Sequence, residues 1–110
     1  MVDDEEAVRE FVTAALEHHG FRVSTAVSGD DAVSMDGPFD VVVLDLSMPG
    51  MSALETIRRL KAQSPNLPIL LSSGYDRSEA TRDLEPGEVV GFLPKPYSLS
   101  DLVTHIKAAL

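Results

Sequence analysis

Asp45 follows the apolar run Val41-Val42-Val43-Leu44 and is followed within five residues by Pro49-Gly50. Asp3-Asp4 stand beside Glu5-Glu6, Ser72-Ser73-Gly74 closes the run Ile69-Leu70-Leu71, and Lys95 lies between two prolines after Val89-Val90-Gly91-Phe92-Leu93. A carboxylate can act as a nucleophile toward phosphorus and form an aspartyl phosphate. Clustered carboxylates suit Mg²⁺, which keeps several waters and takes only one or two protein carboxylates. A transferred phosphoryl group spreads its charge over three oxygens, so catalysis is positioning plus electrostatics. A metal and a lysine supply positive charge, while a small hydroxyl and a backbone N–H bind a remaining oxygen. Asp45, Lys95 and Ser73 suit that work. Each also has a plainer use: Asp45 as a cap or turn residue, Ser73 as a turn residue, Lys95 as a surface cation, and Asp3-Asp4 as partners of a helix dipole. Their joint placement at successive strand ends favours the chemical reading.

That placement needs strands to carry it. The run 41–44 is continuous and β-branched, the mark of a strand buried on both faces of a parallel sheet. Ahead of it, Asp3 or Asp4 caps a helix whose apolar positions Ala7, Val8, Phe11, Val12, Ala15 and Leu16 recur at three and four residues, ending at Gly20. His18 and His19 are neighbours on that helix and point apart, so they read as surface residues. Residues 21–26 alternate like an edge strand, and a short helix is expected near Asp30 to Met35, closed by Gly37-Pro38. Ser52-Ala53-Leu54-Glu55 is a capping box for a helix to about Ser64. Residues 69–71 form a second buried strand. Asp76-Arg77-Ser78-Glu79 opens a helix to about Leu84, stopped by Pro86-Gly87, and 89–93 form a third apolar strand. Ser98-Leu99-Ser100-Asp101 caps a last helix with Leu99, Leu102, Val103, Ile106 and Leu110 on its stripe. Strands alternating with helices specify an α/β domain with a parallel sheet. Such open sheets bind ligands beyond the carboxyl ends of their strands.

The bulk numbers narrow the setting. The 110 residues, 44% hydrophobic and 25% charged, make one ordinary globular domain. Without cysteine there is no disulfide framework, thiolate zinc site or cysteine nucleophile. With no 18-residue apolar run and no signal-peptide pattern, neither membrane contact nor export is indicated, and a cytoplasmic location is expected. Nine basic against 18 acidic residues give a net charge of −9, which disfavours direct nucleic-acid binding.

Four motifs together carry a resemblance: Val2-Asp3-Asp4-Glu5, Leu44-Asp45-Leu46-Ser47-Met48-Pro49-Gly50-Met51, Leu71-Ser72-Ser73-Gly74-Tyr75 and Lys95-Pro96-Tyr97. In this order and spacing they resemble the receiver (response-regulator) domain of bacterial two-component signalling, over residues 1–110. The Ser-Ser-Gly-Tyr and Lys-Pro-Tyr wording is similar to receivers of hybrid histidine kinases. The resemblance implies a flavodoxin-like, doubly wound parallel sheet in strand order 2-1-3-4-5. It implies that Asp45 is the phosphoacceptor in a phosphorelay, that Asp4, Asp45 and the Ser47 backbone carbonyl bind Mg²⁺, and that Asp3 acts through water. Ser73 is the hydroxyl that swings to the phosphoryl group, Lys95 pairs with that group, and Phe92 falls at the aromatic switch position. A cis Lys95-Pro96 peptide is implied, and Ser47 and Tyr75 sit where phosphoryl lifetime is tuned. The implied partner is a histidine kinase or histidine phosphotransfer protein, with a homodimer face on the fourth helix and fifth strand.

Departures accompany it. Only Met1-Val2 precede the acid pair, so the central first strand is largely missing; a trimmed or mis-started sequence is expected ahead of a strand borrowed from another chain. Its loss leaves neighbouring strand edges unpaired. Ala53 stands where the family often has glycine. An aspartyl-phosphate-forming phosphatase is the enzymatic alternative, but such enzymes usually carry a second acid two residues after the nucleophile, where this chain has Ser47. A binding-only receiver-like module is the other; such modules typically lose the acids or the lysine, which this chain keeps.

Overall fold

The buried valine run is the first strand of a parallel sheet. In the computed structural model, which describes every residue except Met48, Pro49, Tyr75, Asp76 and Pro86 and the side chains of Arg77 and Ala80, Val42–Asp45 forms β1, Ile69–Ser73 β2 and Gly91–Pro94 β3. They pair in the order β1-β2-β3, with Leu44 opposite Leu71, Asp45 opposite Ser72 and Ser73 opposite Pro94. Every residue of β1 and β2 is buried, as expected of strands covered on both faces.

Five helices supply the covers: α1 (Glu6–His18), α2 (Gly29–Ser34), α3 (Ala53–Gln63), α4 (Arg77–Ala80) and α5 (Leu99–Ala109). Because strand side chains alternate, the sheet feeds two cores. Leu44, Ile69 and Leu71 pack with Ala32, Ile57 and Leu60 on the α2/α3 side. Val43, Leu70 and Leu93 pack with Val12, Leu16, Leu102 and Ile106 on the α1/α5 side. Among the described residues no helix is long and apolar enough to cross a membrane.

The caps act as their chemistry demands. Ser52 Oγ accepts the Glu55 N–H at 3.1 Å. Ser98 and Asp101 form a full capping box, with Asp101 N–H to Ser98 Oγ at 3.1 Å and Ser98 N–H to Asp101 Oδ2 at 3.3 Å. Gly20, at φ +88°, closes α1 in a Schellman motif: its N–H reaches Glu17 O and the Phe21 N–H reaches Leu16 O. Gly29 is required by space. A Cβ there would overlap Thr56 Oγ1 and come within 3.3 Å of Met51 Cβ, so glycine lets α2 approach α3.

The first strand survives as one residue. Val2 bridges Ala26 on one side and Leu44 on the other, both in parallel. Val2 N–H reaches Val43 O at 2.8 Å, and Asp45 N–H reaches Val2 O at 2.9 Å. Ala26, Val2, β1, β2 and β3 therefore lie in the expected order 2-1-3-4-5.

Four local expectations are corrected. Residues 21–25 are not a strand; of this stretch only Ala26 pairs, with Val2, and the Met1 ammonium meets Ser24 O at 3.0 Å, so alternation here finds no ladder partner. The fourth helix ends at Ala80 rather than near Leu84. Leu84 N–H bonds Thr81 O in a turn, and this polar stretch lacks the apolar stripe that would hold a longer helix to the core. The third apolar strand begins at Gly91, two residues later than expected, with Val90 54% exposed. Neither Asp3 nor Asp4 is the N-cap of α1; Glu5 is, and Asp3 Oδ1 accepts its N–H at 2.9 Å. Asp76 and Pro86, expected at the ends of the fourth helix, lie outside the described residues.

Candidate functional site

Three chain segments deliver charged groups to one point at the carboxyl ends of the strands. Asp45 is the last residue of β1 and 2% exposed. Asp3 follows the Val2 bridge and is fully buried. Lys95 comes just after β3, held by its N–H on Ser73 O at 2.9 Å and followed by the cis Lys95-Pro96 peptide. The Lys95 ammonium lies 3.1 Å from Asp3 Oδ2 and 3.2 Å from Asp45 Oδ1. The Ser47 N–H adds a long contact to Asp45 Oδ1 at 3.4 Å.

Each polar atom of Asp3 is engaged. Its N–H reaches Ala26 O, Oδ1 takes the Glu5 N–H, Oδ2 takes Lys95, and its carbonyl accepts Arg9 Nη1 at 2.8 Å. Asp45 is held less fully. Burial pushes its carboxyl above the usual range and the Asp3 charge adds to this, while Lys95 and the Ser47 N–H oppose it. Burial alone would lower the Lys95 ammonium, but the Asp3 hydrogen bond and the charges of Asp45 and Asp3 hold it above its usual value.

The donors fit a hard divalent cation. Carboxylate oxygens of Asp3, Asp4 and Glu5 lie within 4.8 Å of one another. Asp45 adds a fourth carboxylate, reached through Lys95, and all four offer the oxygen ligands Mg²⁺ takes. Asp4 and Glu5 are exposed, whereas Asp3 is sealed inside. The close trio contains Glu5, one of the clustered acids that the sequence already groups with Asp3 and Asp4; Asp45 joins it through Lys95.

The remaining site residues sit on the strands. Ser73 is fully buried at the end of β2, and Phe92, opposite Leu71 on β3, packs against the α2/α3 core. Ser47 is exposed just past β1, and Tyr75 lies outside the described residues. Sequence reasoning missed Arg9, and it named Ser72 and Tyr97 within motifs without giving either a role. Ser72 Oγ and the Tyr97 hydroxyl are both buried with no hydrogen-bond partner among the described residues. The Tyr97 hydroxyl is pushed up by burial, with Lys95 opposing and Asp3 and Asp45 adding. No spacing rule marks such residues; only Arg9, one and a half turns along α1 from the acid pair, offered a charge signal.

A family model for the response regulator receiver domain matches residues 1–107. The chain belongs to that family. Among its relatives, the sensor kinase CckA of Brucella abortus is 37% identical over all of this receiver, which spans 12% of CckA. The response regulator MprA of Mycobacterium leprae is 39% identical over 99% of the receiver, which spans 49% of MprA. The receiver thus spans about half or less of these relatives. The crystal structure of response regulator TrrA from Thermotoga maritima in complex with Mg²⁺–BeF is 29% identical, covering 99% of this chain and 95% of that one, with a TM-score of 0.87. This is a receiver domain of two-component signalling, a switch class in which phosphorylation and Mg²⁺ at an acidic pocket are family features. Receivers of this kind take phosphate from histidine kinases.

Proposed function

We propose that this receiver accepts a phosphoryl group from a phosphohistidine onto Asp45, holds it transiently, and changes its binding surface in response. The observation that carries this is the Lys95 ammonium, 3.1 Å from Asp3 and 3.2 Å from Asp45 at the carboxyl ends of the strands. The attacking atom is a carboxylate oxygen of Asp45, whose Oδ1 takes the Lys95 ammonium and the Ser47 N–H. An O–P bond forms as the N–P bond breaks, and the imidazole nitrogen keeps the electron pair. Lys95 and the Ser47 N–H neutralise charge on the acceptor carboxylate and the incoming oxygens. Asp4, Asp45 and the Ser47 carbonyl would hold Mg²⁺, with Asp3 acting through water, and the bound ion would supply the remaining positive charge. Hydrolysis later returns the Asp45 carboxylate and phosphate.

The readout follows from neighbours. Ser73 turns its hydroxyl toward a phosphoryl oxygen, and Phe92 follows, altering the surface around α4 and β3. That surface is also where a second copy would pair. Ser47 and Tyr75, each two residues beyond a reacting strand end, set the lifetime of the phosphoryl group.

The test is intact mass after incubation with acetyl phosphate and Mg²⁺, for wild type and Asp45→Asn, with circular dichroism to check folding. One added phosphoryl group, in the wild type only and only with metal, is the expected result. A folded wild-type chain that never gains the group would refute this reading in favour of a binding-only module.

A further inference from the structure

We infer that Arg9 is a positioning residue for the metal-binding acids, acting through the backbone of Asp3. The inference rests on the Mg²⁺ site proposed above. Arg9 is half-buried on α1, and its Nη1 donates to Asp3 O at 2.8 Å. That carbonyl belongs to the planar peptide that joins Asp3 to Asp4. Fixing its orientation fixes the direction in which Asp4 leaves the chain. On the other side of the same residue, Asp3 N–H is held by Ala26 O, and the Asp3 carboxylate by Glu5 N–H and Lys95. Asp4 is exposed, and among the described residues none of these anchors falls on its own side chain. Its placement beside Asp3 and Glu5 is therefore inherited from the Asp3 backbone, and among the described residues Arg9 holds the bond on the side nearest Asp4.

The sign of the effect separates this role from plain electrostatics. Arg9 is a cation beside a cluster of carboxylates, so as a charge alone its removal would tighten binding of another cation. As a positioning residue its removal loosens the ligand geometry and weakens binding. Removing outer partners that orient metal ligands typically costs about 10–100-fold in affinity.

The experiment is a calorimetric Mg²⁺ titration of the full chain as wild type, Arg9→Met, Arg9→Gln and Arg9→Lys, with melting temperatures measured on the same samples. Arg9→Met and Arg9→Gln are expected to bind Mg²⁺ about 10-fold more weakly, and Arg9→Lys, which keeps a charged donor, to lie between them and the wild type. Unchanged or tighter Mg²⁺ binding in any folded Met or Gln variant overturns the inference. So does a variant that melts earlier yet binds as the wild type does, since that assigns Arg9 to stability alone. A folded wild type that binds no Mg²⁺ overturns the metal site itself, and the inference with it.

Discussion

Replacing Lys95 with methionine takes away the ammonium that bridges two buried carboxylates while keeping an apolar stem of similar length. At 3.1 and 3.2 Å, each pair is worth roughly 5 kcal/mol at an effective dielectric of about 20, before desolvation is subtracted. The Lys95 side chain remains 22% exposed, so part of its hydration survives and the net value is smaller. Removing one partner of a buried pair typically costs about 3–5 kcal/mol, because the other charge is left uncompensated. That is the range expected here, a large share of the roughly 5–15 kcal/mol that holds a domain together. The pH dependence follows from Asp45. Its folded carboxyl lies above the ordinary value of 3.8, so its stabilising contribution is complete below that value and is lost as pH rises through the folded pKa. Lys95, ahead of the Ser47 N–H, pulls this carboxyl down, so without it the folded pKa climbs further and more stability is lost by neutral pH. The deficit of Lys95→Met against wild type should therefore shrink as pH falls from about 7.5 to about 5. Mg²⁺ should recover part of it. Urea unfolding followed by circular dichroism, at both pH values and with and without Mg²⁺, measures all three effects. A variant within about 1 kcal/mol of wild type, the range of exposed pairs, with a parallel pH profile would refute the buried bridge.

Two smaller perturbations test the scaffold around the site. Ser72→Ala removes a fully buried hydroxyl that has no partner among the described residues, and should leave stability unchanged or raise it by up to about 1 kcal/mol; a loss of that size by denaturant titration would mean the hydroxyl is paired. Gly29→Ala drives a methyl into Thr56 Oγ1 and should cost about 1–3 kcal/mol. Adding Thr56→Ala should return part of that loss, and strict additivity of the two in a double-mutant cycle would show that they do not touch.

What was legible in the sequence divides along a physical line. Ser52, Ser98 and Gly20 marked helix ends correctly because a cap is a local bond between residues a few positions apart. Asp45 and Lys95 were legible because an apolar run predicts its own end, and what stands there faces the crevice. The stretch 21–26 misled because alternation shows a face but not a partner, and a strand exists only as a pair. The polar stretch 81–84 misled because a capping motif starts a helix without guaranteeing a face to bury. Arg9 was hidden for a related reason: it sits on an ordinary charged helix, and what distinguishes it is a bond to the Asp3 carbonyl that only the fold makes.

The bond between Lys95 and Asp3 joins residues 92 positions apart, almost the full contour of the chain. A contact at that separation is held by the folded sheet between its partners and by no local structure. The pocket is therefore a certificate of completed folding. A nascent or half-folded receiver carries Asp45 and Lys95 but not their meeting point, so it offers a donor nothing to recognise. Signal competence in such a chain tracks global stability, and a mutation far from the pocket can silence it by lowering the share of chains whose two ends have met.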